Sequence, residues 1–292
     1  MIPLAAITDE FSPDLGVALG AMAGVGMTGV ELRVIGGRNV VELTDEEIDG
    51  IRGFVEQRGM RVVSVASPVL KCVLPDAPRI DERFQQDIFG SNYTMDDQPR
   101  LARRAIEAAA RSGARIVRVF SYWRTVDPPR CFDRIATALR DLAAQAAERG
   151  IMIGLENEPA CNVATAEETA KMIAAVGHPN LHVIWDPANG LVAGEVPYPE
   201  GYETLSSERI AHVHAKDCVV ADHKPAWGPV GDMAVDWRGQ LAALVRDGYQ
   251  GWLSLETHWR GPNDDKLEAS TICGQNLRKL VSELESQRET HS

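Results

Sequence analysis

The stretch IAHVHAKD, residues 210–217, decides how the rest of the chain is read. Alternate side chains of a strand share a face. His212, His214 and Lys216 therefore stand together on one side, and Ala211, Val213 and Ala215 on the other. A strand with a small apolar back and a polar front is either a wetted sheet edge or the lip of a site. The segments around it decide which.

Strand-like apolar runs recur at 2–8, 29–35, 61–67, 114–121, 151–157, 181–186, 210–217 and 251–258. Between them lie amphipathic segments with helix punctuation. Thr44 and Glu47, like Thr165 and Glu168, have the spacing of a capping box. The Ala/Leu/Arg-rich segments ending at Gly113 and Gly150 stop at the residue that most often ends a helix. A last helical segment runs from about Lys266 to Glu285. Strand–helix alternation repeated in this way means a parallel sheet with crossover helices. No G-x-G-x-x-G follows the first run and no Walker sequence occurs. Count and length predict a single-domain (β/α)8 TIM barrel over residues 1–286, with 287–292 as a polar tail, in preference to an open doubly wound sheet. In such a barrel, sites form at the C-terminal ends of the strands.

The bulk properties narrow the partners. The formal charge of −12 disfavours binding to a phosphate backbone, and no Lys/Arg run offsets it. The five cysteines, at 72, 131, 161, 218 and 273, form no C-x-x-C pair, against a disulfide framework or a thiolate zinc site. The N-terminal MIPLAAITDEF lacks a basic leader and no apolar run reaches membrane-spanning length. The expectation is a cytoplasmic protein with a small-molecule substrate, no nucleic-acid or membrane partner, and an open possibility of homo-oligomers.

Polar residues close the last four strands: Glu156 in IMIGLEN, Asp186 in LHVIWD, His214 in IAHVHAKD and Glu256 in GWLSLETH. Taken singly, each carboxylate reads as a solvated loop acid, His214 as a structural histidine, and Asp186 before Pro187 as a turn. Together on consecutive strand ends they form a set of hard oxygens and one imidazole, suited to a divalent cation such as Mn²⁺, Mg²⁺, Co²⁺ or Zn²⁺.

The signatures GLENEP, WDPANG, HVHAKD, GPVGDMAVDW and LSLETH resemble those of the sugar phosphate isomerase/epimerase superfamily, the xylose-isomerase-like or AP-endonuclease-family TIM barrels. The resemblance covers nearly the whole chain. It implies one divalent metal ion, manganese first, on Glu156, Asp186, His214 and Glu256, with Glu156 and Glu256 as the acid–base pair. It places Glu158, Asn189, His212, Lys216, Trp227 and Arg33 around the substrate. His212 has a second possible place behind the metal ligands, and Lys216 with Asp217 also reads as a local salt bridge. Asn189 departs from the histidine that many ketose epimerases carry there. Glu31, Tyr122 and Trp123 are expected on the opposite wall. The segment 221–237 reads as a lid, and the long connection 67–97 as a cover for the pocket or a subunit contact.

The activity so implied is metal-dependent isomerisation or epimerisation of a ketose or keto-sugar through a metal-stabilised enediolate. The alternative is a 3-keto-glycoside lyase or hydratase that eliminates at C1–O or C1–C from the same site. An apurinic endonuclease is disfavoured by the few histidines at strand ends and the acidic charge. A non-catalytic sugar-binding barrel has no need of two opposed carboxylates.

Overall fold

The computed structural model describes residues 2–84 and 92–289. Eight parallel strands close into a barrel: β1 (Leu4–Ile7), β2 (Gly29–Leu32), β3 (Arg61–Val65), β4 (Ile116–Val119), β5 (Met152–Glu156), β6 (Leu181–Trp185), β7 (Ile210–Ala215) and β8 (Trp252–Leu255). Each pairs with its sequence neighbours, and β8 returns to β1. All eight lie within the runs read from the sequence, so the fold is the expected TIM barrel.

The helices that follow the strands are α1 (Leu15–Gly24), α2 (Asp45–Glu56), α3 (Gln98–Ser112), α4 (Phe132–Ala147), α5 (Ala166–Val176), the short α6 (Pro187–Ala193), α7 (Trp237–Arg246) and α8 (Lys266–Glu289). Both capping boxes form, Thr44 with Glu47 and Thr165 with Glu168. Gly113 and Gly177 take the left-handed conformation that ends α3 and α5. Among the described residues no helix is long and apolar enough to cross a membrane.

Ladder partners share a face. Ala5 pairs with Gly29 and Ser254, Ile7 with Glu31, Ser254 with His214, and Trp252 with His212. This set faces the barrel axis. A Cβ on Gly29 would lie 2.5 Å from the Trp252 ring, so a glycine is required where that ring fills the lower barrel. The upper barrel is different, because its inward positions are charged.

Two local differences from the sequence reading have physical causes. Helix α8 continues to Glu289, into the segment read as a tail, because Gln287, Arg288 and Glu289 are good helix formers; residues 290–292 lie outside the described residues. The start of the segment read as a loop lid is a hairpin, Asp217–Ala221 against Lys224–Gly228. Its turn residues Asp222 and His223 both have positive φ, 49° and 59°, the geometry a two-residue hairpin turn demands. In the long connection 67–97, Val69, Leu70, Leu74 and Phe84 are buried and Val73 is exposed. Ile88 and Phe89 lie outside the described residues.

Candidate metal centre

Glu156 ends β5, Asp186 directly follows β6 and caps α6, His214 sits in β7, and Glu256 directly follows β8. One donor atom from each lies within 4.8 Å of the others, and all four residues are buried. His214 Nδ1 is 3.0 Å from Glu156 Oε1 and 3.2 Å from Glu256 Oε2. Asp186 uses Oδ1 to accept the Asn189 N–H at 2.9 Å, which leaves Oδ2 turned into the cage. Neither Asp186 Oδ2 nor Glu156 Oε2 receives a hydrogen bond of acceptable geometry. Buried carboxylate oxygens in that condition, beside an imidazole, fit a divalent cation.

Below the cage lies a carboxylate hub. Glu31 is fully buried on β2 and accepts from Ser64 at 2.8 Å and Ser254 at 2.8 Å. It also contacts His212 Nε2 at 3.1 Å and His214 Nε2 at 3.2 Å. Burial alone would raise its carboxyl, but His214 and His212 outweigh that and hold it well below the usual range. For His214, burial opposes the charge, yet Glu31, Glu156 and Glu256 lift it well above the ordinary imidazole value. Its Nε2 is thus fixed by Glu31, and its Nδ1 is presented to the cage.

Three cations enter the same space. Arg33 is held by Asp9 and Glu10 and also touches Glu256 Oε1 at 3.1 Å. Arg118 Nη1 lies 3.3 Å from both Glu156 Oε2 and Glu256 Oε1. Lys216 Nζ lies 2.8 Å from Asp186 Oδ2 and 3.1 Å from Glu256 Oε2. Burial raises the Glu256 carboxyl, but Lys216 and His214 more than reverse it, so the group is held well below its usual range. Glu156 is lowered less, because burial and Glu256 both oppose its charge. Asp186 is pushed up to about 6, chiefly by burial, with Lys216 opposing and the glutamates adding to the rise.

Above the cage is a cavity of about 210 Å³ lined by Glu158, Asn189, Trp227 and His258, with Phe84 and His223 also on its wall. The Trp227 and His258 rings meet edge to face at 4.6 Å. Phe84 and His223 do the same at 5.0 Å, joining the long connection to the hairpin tip. Asn189 Nδ2 donates to Glu156 Oε1 at 3.3 Å and to the Asn157 carbonyl at 2.8 Å. Lys71 Nζ lies 3.5 Å from Glu158 and 4.4 Å from the centre of the Phe120 ring.

The four residues read as ligands come together. Glu158, Asn189 and Trp227 line the cavity, while Arg33 and Lys216 stand among the cage carboxylates. His212 lies lower, against Glu31. Lys216 makes its salt bridges with Asp186 and Glu256; Asp217 instead accepts backbone N–H groups from Cys218, Gly231, Met233 and Val235. Tyr122 is buried, and Trp123 lies near Lys71. Sequence reasoning missed Arg118, Asp9, Glu10, Lys71 and His258. Arg118 carried a usable signal, a lone charge in the apolar run IVRVF, the same kind of interruption that marked His212 and His214.

The family model for xylose isomerase-like TIM barrels matches residues 19–277. An inosose dehydratase from Clostridium botulinum is 27% identical over 165 residues, 51% of this chain and 54% of its own length. The chain thus spans about half the length of the curated relatives it matches. Among solved structures, the IolI protein with a bound zinc atom superposes with a TM-score of 0.73 at 18% identity, covering 97% of this chain and 99% of its own. An L-ribulose 3-epimerase superposes at 0.71 with 16% identity, covering 100% and 98%. With a match that contains seven of the eight strands and six of the eight helices and reaches into α1 and α8, this chain belongs to the xylose isomerase-like TIM barrel family.

Proposed function

We propose that this chain is an enzyme that holds one divalent metal ion on Glu156, Asp186, His214 and Glu256 and removes a proton beside the carbonyl of a small polyhydroxylated ketone. The convergence of those four donors within 4.8 Å carries the reading. An ion there would polarise the substrate carbonyl and offset the negative charge that gathers on its oxygen as the C–H bond breaks. The donor set of three carboxylates and one imidazole suits Mn²⁺ first, then Mg²⁺, Co²⁺ or Zn²⁺.

The chain's own groups do the rest. Glu156 and Glu256 are both held ionised and reach the same two groups, His214 Nδ1 and Arg118 Nη1. Either carboxylate can accept the proton. Trp227 offers an apolar face to the carbon skeleton, and Glu158, Asn189 and His258 offer hydrogen bonds to its hydroxyls. A cavity of about 210 Å³ and a net charge of −12 favour a sugar-sized neutral molecule over a nucleic acid.

The fate of the proton separates two readings. In a dehydration, the C–H bond breaks at the α-carbon, a C=C bond forms, and the C–O bond at the β-carbon breaks; the hydroxyl takes up a proton and departs as water. In an epimerisation, the second carboxylate returns a proton to the α-carbon from the other face. The sequence put isomerisation and epimerisation first. Sequence relatives from three organisms, each named an inosose dehydratase, move dehydration ahead. The paired glutamates keep epimerisation as the second reading. Incubating the Mn²⁺-loaded protein in D₂O with inososes and acyclic ketoses tests both: dehydration yields a new enone absorbance, and epimerisation yields α-deuterated epimer. Metal bound at the cage with neither product nor α-deuterium in any member of the panel would reject proton abstraction.

A further inference from the structure

Lys216 occupies the place that a metal ion would contest. Its side chain is fully buried, and Nζ contacts Asp186 Oδ2 at 2.8 Å and Glu256 Oε2 at 3.1 Å, two of the four proposed ligands. Its backbone carbonyl is fixed by Trp237 Nε1 at 3.1 Å, so the strand end is anchored and only the flexible stem can move. The ammonium also lies 5.7 Å from the centre of the Trp227 ring, on the wall of the cavity.

Charge explains why it sits there. Glu156, Asp186 and Glu256 are three carboxylates taken out of water, and buried carboxylates must be compensated. Lys216 and Arg118 each contact two of them, and Arg33 reaches Glu256 while also serving Asp9 and Glu10. An ion bonded to Asp186 and Glu256 and an ammonium at hydrogen-bond distance from the same oxygens repel strongly in a buried site. Both cannot hold those positions together.

We infer that Lys216 is the resident counter-ion of the metal-free cage and that metal binding displaces it. The displaced ammonium turns toward Trp227 and the cavity, where it donates to a substrate oxygen. The side chain thus has two stations, one that compensates Asp186 and Glu256 without metal and one that serves the substrate once the ion is in place. This rests on the metal-centre reading above. It implies that the wild-type chain binds its ion less tightly than the four donors alone would.

The test is a calorimetric titration of Mn²⁺ into chelator-stripped wild-type protein and Lys216→Met, with thermal melts of both metal-free proteins. The expected result is Mn²⁺ binding to K216M at least ~10-fold more tightly, because ejecting a paired ammonium no longer opposes it. Metal-free K216M should also melt at a lower temperature, because Asp186 Oδ2 loses its ammonium. Equal or weaker Mn²⁺ binding by K216M overturns the inference and leaves the metal centre standing. No binding by either protein overturns both. If K216M does not fold, crystal structures of the wild-type protein with and without Mn²⁺ decide the matter. Nζ must leave Asp186 in the loaded form, and an ammonium still on Asp186 beside the ion rejects the idea.

Discussion

Glu31 Oε2 lies 3.2 Å from His214 Nε2, while Nδ1 of the same ring lies 3.0 Å from Glu156 Oε1. One imidazole therefore joins the hub on β2 to the cage at the strand ends. Glu31→Gln keeps the shape but turns one oxygen into an amide that cannot accept. Ser64, Ser254, His212 and His214 then compete for the remaining oxygen. Loss of a carboxylate behind a ligand histidine weakens metal binding by about 10–100-fold. A Mn²⁺ titration of E31Q, with circular dichroism to show that the barrel is intact, measures this; unchanged affinity would mean that β7 alone orients His214.

Arg118 is buried on β4 against Glu156 and Glu256. Removing one side of a buried ion pair leaves the other uncompensated, at a cost of about 3–5 kcal/mol. The metal-free Arg118→Met protein should therefore show a clear drop in denaturation midpoint. A divalent ion on the same carboxylates restores part of the loss, so the gap between wild type and R118M should narrow when Mn²⁺ is added. A gap of the same size with and without Mn²⁺ would place the role of Arg118 in packing against Phe120, whose ring centre is 4.8 Å from its guanidinium carbon.

The barrel and the four cage residues were legible in the sequence because both follow from local pattern. Strand runs and caps repeat along the chain, and a strand end is the one place where this fold presents polar groups together. Glu31 was visible as a charge in an apolar run, but its part as a hub was not. That depends on the pairing Ile7–Glu31 and on Ser254 standing on the other side of β1, which are long-range facts of register. The partner of Lys216 was hidden for the same reason. Sequence adjacency suggested Asp217, yet that residue begins the hairpin and its carboxylate turns to backbone N–H groups instead.

Asp217 is thereby the anchor of the segment below the hairpin. Oδ1 accepts from Cys218 and Val235 at 2.9 Å each, and Oδ2 from Gly231 at 2.9 Å and Met233 at 3.3 Å. Asp217→Asn sets an amide N–H₂ against two of those donors. Each buried group left without a partner costs about 1–3 kcal/mol. D217N should melt lower and be cut faster by protease within 229–236, with Mn²⁺ affinity unchanged because no cage ligand is touched. Wild-type resistance to cleavage there would show that Trp237 and its neighbours hold the segment without Asp217.

His182 offers a pH test away from the cage. It is half-buried near the start of β6, and burial, followed by the charge of Arg209, lowers its value below the ordinary 6.5. Between that lowered value and 6.5 the unfolded chain binds a proton that the folded chain does not. Stability therefore rises with pH across this window, and acidification through 6.5 removes it until the folded form protonates as well. His214 has the opposite sign: its raised value adds stability that is full below 6.5 and lost as pH climbs through the folded value. That contribution is common to wild type and His182→Gln, so it cancels in their difference. Denaturant midpoints of the metal-free proteins at about pH 7.5 and about pH 5.5 should then show a smaller acid loss in H182Q than in wild type. Equal losses would mean that neither burial nor Arg209 holds the imidazole below its ordinary value.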